Sequence, residues 1–118
     1  MDPIKGGCFC GNIRYEVTMA EYPIANCHCS MCRKASGAPY VTWLIATKES
    51  FRYTKGSPAE LQSSADGKRF FCDQCGTPVV CINESHPDIV DVTVGSLDQP
   101  EAFKPTMDVM EDTRLPWA

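Results

Sequence analysis

No apolar run in these 118 residues approaches the ~20 residues a membrane-spanning helix needs, so no such helix is expected. Positive charge is scarce: 11 lysines and arginines stand against 15 aspartates and glutamates, a net charge of −4. A nucleic-acid binder needs a basic face and a membrane-surface protein a basic cluster, so neither partner is expected. The opening residues, MDPIKGGCFC, lack the apolar stretch of a signal peptide, which makes the cytosol the expected compartment. There is no P-loop, no G-x-G-x-x-G and no serine nucleophile elbow. Spacing singles out no carboxylate pair. Repeats, low-complexity tracts and linkers are also missing, and the length suits one domain over residues 1–118.

Cysteine, by contrast, is plentiful, with 8 in 118 residues. In a reducing compartment, clustered thiols read as metal ligands or catalytic groups rather than as disulfides. Apolar residues make up 43% of the chain, enough for a core, though a small one. The 9 prolines and 8 glycines are spread along the chain, which suits many short elements joined by turns. Alternation and β-branched or aromatic enrichment predict strands over 12–18, 40–46, 51–54, 60–63, 68–72, 78–83 and 89–94, with a last short one over 107–110. One helix is expected, with Ser30 as N-cap before Met31–Ala35 and Gly37 as its stop. The fold class is therefore mainly β, with small sheets that need clamping.

The cysteines fall into groups. Cys8 and Cys10 form C-x-C, Cys27, Cys29 and Cys32 form C-x-C-x-x-C, Cys72 and Cys75 form C-x-x-C, and Cys81 stands alone. Thiolates one or two residues apart reach one ion from a tight turn, and structural zinc takes four ligands. Cys8, Cys10, Cys72 and Cys75 thus read as one closed site. Each pair is followed by a glycine, Gly11 and Gly76, which permits the positive-φ turn around an ion. Unligated buried thiols or a disulfide are the competing readings. The triplet Cys27, Cys29 and Cys32 offers three ligands and one open position, the pattern of catalytic zinc. Alternatively, Cys81 or His28 closes it as a second structural site. Alternation turns His28 away from the face shared by Cys27 and Cys29, and Cys81 reads as a small core residue.

Arg33 and Lys34 follow Cys32 directly. They read either as a solvated helix face or as cations that stabilise thiolates and receive the carboxylate of an acidic thiol. His86, in ESHPD, reads as a surface loop residue. An iron–sulfur centre on the same thiolates is a further possibility, which a colourless protein would exclude.

The segments GGCFCGNIRYEV, CHCSMCRKASG, FFCDQCGTPV, VTVGSLDQP and RLPW follow one another in order. This string, from about Lys5 to Trp117, resembles the glutathione-dependent formaldehyde-activating enzyme family, which includes the centromere-protein-V-like proteins. The resemblance implies a zinc-stabilised β-tent fold of small antiparallel sheets with one short helix. It also implies two zinc ions, a structural one on Cys8, Cys10, Cys72 and Cys75 and a catalytic-type one on Cys27, Cys29 and Cys32. The implied activity is that of a carbon–sulfur lyase, forming or cleaving S-hydroxymethylglutathione from glutathione and formaldehyde; on the reading of the residues themselves, Arg33 or Lys34 would offset the charge of the thiolates and orient the substrate. Cys81 departs from the family pattern, in which an apolar residue is expected. The rival class is a non-catalytic zinc module that binds a protein partner and needs only the closed site.

Overall fold

Two sheets hold all the strands of the computed structural model, which describes residues 1–118. Strands β1 (Ile4–Gly7), β2 (Arg14–Val17) and β5 (Phe51–Lys55) form a three-stranded antiparallel sheet in the order β1-β2-β5. The second sheet has seven strands in the order β10-β3-β4-β9-β8-β7-β6. These are β3 (Ile24–Cys27), β4 (Val41–Thr47), β6 (Ala59–Gln62), β7 (Gly67–Phe71), β8 (Pro78–Asn83), β9 (Ile89–Thr93) and β10 (Met107–Val109). A single α-helix, α1 (Ser30–Ser36), links β3 to β4, and the remaining helical pieces are single 3₁₀ turns. No helix is long and apolar enough to cross a membrane.

Register decides which face each side chain takes, because directly opposed residues share a face. Leu44, Val92 and Val80 are opposed across β4, β9 and β8, and all three are buried in the main core with Tyr15 and Val17 of β2. Each such side chain stabilises the fold by roughly 1.5–3 kcal/mol on burial. The opposite face of the large sheet carries the row Arg69, Cys81 and Asp91 across β7, β8 and β9. Trp43 of β4 shares that face by alternation, and with Cys81 and Cys32 of α1 it builds a second, smaller core. The sheet thus has an apolar face against the small sheet and a cysteine-bearing face under α1.

The mainly β expectation holds, and three details differ from it. Strands β1 and β3 were not expected. β1 ends in Gly6–Gly7, and a Cβ at Gly6 would lie 2.5 Å from the Tyr15 hydroxyl, so close packing and not strand propensity places glycine there. β3, IANC, has little β-branched character and is held by partners on both sides. The sheets are not wholly antiparallel, because β10 runs parallel to β3. Finally, Cys29 and not Ser30 caps α1: its Sγ accepts from the Cys32 N–H at 3.2 Å. At the other end Gly37, at φ 73°, donates its N–H to the Arg33 carbonyl as expected of a helix stop.

Candidate metal centres and the cavity between them

The turn after β1 and the turn after β7 have the same local form. Gly11 follows Cys10 at φ 83° and Gly76 follows Cys75 at φ 82°. Each glycine N–H bonds back to the carbonyl of the first cysteine, Gly11 to Cys8 at 3.1 Å and Gly76 to Cys72 at 2.8 Å. Each turn also aims a backbone N–H at that cysteine's sulfur, Ile13 at Cys8 (3.2 Å) and Gln74 at Cys72 (3.4 Å). The two turns meet, and the sulfurs of Cys8, Cys10, Cys72 and Cys75 all lie within 4.8 Å of one another. Cys8 and Cys10 are 3.6 Å apart, and Cys10 and Cys72 are 3.7 Å apart. A tetrahedral ion with sulfur ligands at ~2.3 Å sets its ligands about 3.8 Å from one another. The group therefore fits one four-coordinate ion. Hydrogen bonds from the Thr77 side chain and backbone hold the Cys75 thiol down to about 5, which favours the thiolate a metal needs.

Cys27 at the end of β3, Cys29 at the helix cap and Cys32 in the first turn of α1 form the second group, also within 4.8 Å. No fourth cysteine, histidine or carboxylate joins them. His28 points away. Its ring is buried against Tyr40, with its Nε2 at 2.8 Å from Asp108 Oδ1 on β10. Cys81 is buried and packs on Cys32 and Trp43 without entering the group. His86 is exposed.

Arg69 on β7 is the cation at this group, and it was not among the residues that the sequence suggested. Its Nη2 donates to Cys32 Sγ at 3.6 Å. Cys32 is drawn down to about 5, first by a hydrogen bond from Cys27, then by Cys29 and Arg69, with burial opposing them. Cys27 is pushed up in turn, because its proton bridges to Cys32. Arg33 borders a separate pocket of about 390 Å³ with Lys34, Leu115 and Trp117, its Nε buried without a partner. Strand alternation gave one hint of Arg69: Phe70 packs on the main core, so its neighbour faces the other way. That α1 would cover this face is a tertiary fact.

A cavity of about 640 Å³ lies between the two groups. Arg69 ties it to the triplet, and Gly76 and Thr77 bring it to the turn of the four-cysteine group. Its walls are largely apolar, including Trp43, Phe70, Phe71 and Val80. A mostly β scaffold with two metal-ready thiol groups near a ligand-sized cavity defines the class of small metal-supported binding or catalytic domains. The chain belongs to the glutathione-dependent formaldehyde-activating enzyme family, whose pattern matches residues 3–113.

Among relatives, a Halomonas elongata protein named as belonging to the glutathione-dependent formaldehyde-activating enzymes is 28% identical over 103 residues. That match covers 80% of this chain and 66% of the relative. A Schizosaccharomyces pombe protein named as an uncharacterised lyase is 29% identical over 77 residues, covering 65% of this chain and 56% of the relative. The chain therefore spans just under two thirds, and just over half, of these curated relatives. A crystal structure of a Rhodobacter sphaeroides protein superposes with a TM-score of 0.71 at 26% identity, over 90% of this chain and 100% of that one.

Proposed function

We propose that the protein is a zinc-dependent carbon–sulfur lyase that forms or cleaves a thiol adduct of the S-hydroxymethylglutathione type. The observation that carries this reading is the triplet: three sulfurs converge without a fourth ligand, beside a cation and a ligand-sized cavity. Cys8, Cys10, Cys72 and Cys75 would hold a structural zinc, and Cys27, Cys29 and Cys32 a second, catalytic-type zinc. When bound at the triplet, zinc supplies thiol activation, favouring the thiolate of a substrate at its open position. The names of the relatives support a thiol substrate and a lyase reaction.

In the forward direction a sulfur–carbon bond forms between the thiol and formaldehyde, and the thiol proton ends on the former carbonyl oxygen. The reverse breaks the same bond and returns the proton to sulfur. Three thiolates on a divalent ion leave a net negative site, which weakens Lewis acidity and favours thiol activation over hydroxide formation. Arg69 offsets that charge by its hydrogen bond to Cys32. Arg33, next to Cys32 in sequence, borders a separate pocket and not this cavity, so any contact it makes with an acidic thiol lies outside the cavity.

The test is formaldehyde release from S-hydroxymethyl adducts of several thiols by the zinc-loaded protein, with Cys29→Ser as control. Turnover by the parent and none by the variant is the expected result. Equal rates in both would overturn the assignment to the triplet.

A further inference from the structure

We propose that the cavity selects a thiol carrying one carboxylate on a largely apolar or aryl body, in preference to glutathione. This inference rests on the lyase reading for its chemistry but on the cavity alone for its ligand. Arg69 is the only charged residue in the lining, which contains no aspartate or glutamate. Its guanidinium pairs with no carboxylate; its one partner is the Cys32 sulfur. Its Nε is buried and has no hydrogen-bond partner at all. The Nε is sealed off from a ligand, but the Nη groups keep N–H donors that hydrogen-bond to no oxygen, and a carboxylate is the group that takes two guanidinium N–H groups at once.

The serine and threonine hydroxyls of the wall are already committed. The hydroxyls of Ser36, Thr42, Thr77, Thr93 and Ser96 are each hydrogen-bonded within the protein. The Tyr40 phenol, at the rim and 39% exposed, and the Trp43 indole N–H make no such bond. Glutathione carries two carboxylates, an ammonium and two amides. The cavity offers one anion site, no anionic partner for the ammonium and, beyond Tyr40 and Trp43, no uncommitted side-chain polar group for the amides. Apolar bulk with a single carboxylate matches both the charge and the walls.

Unreactive thioethers separate binding from turnover. Calorimetric titration of the zinc-loaded protein would compare 4-(methylthio)phenylacetate, S-methylglutathione and benzyl methyl sulfide. The expected order places the first at least tenfold tighter than either of the others. Arg69→Met should abolish that preference, with Arg69→Lys restoring part of it. Leu61→Asp offers a second route, because Leu61 faces Arg69 across β6 and β7 and is 52% exposed. The new carboxylate should occupy Arg69 in a protein that still folds, and should cost the same tenfold. Failure of the lyase reading would show as no turnover of any adduct, with these affinities unchanged. The cavity inference itself is overturned if S-methylglutathione binds as tightly as the monocarboxylate. It is equally overturned if none of the three binds, or if Arg69→Met and Leu61→Asp both keep the preference.

Discussion

Removing the ion from the four-cysteine group should unfold the protein, and so should Cys72→Ser or Cys10→Ser. The group ties the turn after β1 to the turn after β7, 62 residues apart between Cys10 and Cys72. Cys8 and Cys72 also belong to the main core, at 7% and 1% exposure, so the tie lies inside the contact between the two sheets. A domain of this length has roughly 6–18 kcal/mol of stability at the usual ~0.05–0.15 kcal/mol per residue. Zinc on a small cysteine site contributes about 10–16 kcal/mol near neutral pH. The metal contribution is as large as the total, so little or nothing should remain without it. Each kcal/mol lost shifts the melting temperature by roughly 3–6 °C at this size, so loss of the whole contribution takes the transition out of the measurable range. The assay is circular dichroism melting with metal content measured on the same samples. A cooperative, native-like melt of the fully metal-free protein would refute the reasoning.

Cys29→Ser should behave differently, because its ligand partners are local. It should lose one zinc equivalent and cost about 1 kcal/mol or less through the altered cap of α1, with the fold retained by circular dichroism. His28→Ala should leave zinc content unchanged but cost about 2–4 kcal/mol, since a buried ring and its bond to Asp108 are lost; Cys81→Ala should cost about 1 kcal/mol, also with full metal. Asp91 is raised to about 6, first by burial and then by charge on Cys32, with His86 offsetting in part. Its folded pKa lies above the unfolded value, so its contribution is favourable below about 4 and is lost as pH rises through 6. Asp91→Asn should therefore stabilise the protein by about 1–2 kcal/mol at pH 7.5, a gain that shrinks as pH falls through 6; an equal gain at pH 5 and 7.5 would contradict the burial argument.

Much of the site was legible because cysteine spacing is a local property with a long-range use. C-x-C and C-x-x-C before glycine specify the same turn twice, and two such turns have few ways to use their sulfurs other than around one ion. The outward turn of His28 also followed from strand alternation. What escaped the sequence was tertiary. Arg69 is an ordinary strand arginine until α1 is laid over β7. β1 is held by the close approach of Tyr15 to Gly6, and β3 by its neighbours, so neither carries a propensity signal. The thiol cap of α1 was missed because Ser30 has the better capping side chain, whereas the structure uses the Cys29 sulfur one residue earlier. The parallel pairing of β10 depends on where the chain returns after residue 103, which no local pattern records.

The central claim is that the triplet acts and the four-cysteine group supports. A chelator titration that follows metal content, melting and turnover together tests it most directly. The triplet has only local ligands and an open position, so it should release its ion first. The account predicts a state with one zinc per chain that is folded and has no lyase activity, with Cys29→Ser reproducing it. Activity that persists at one zinc per chain, or a Cys29→Ser protein that unfolds as severely as Cys72→Ser, would contradict it.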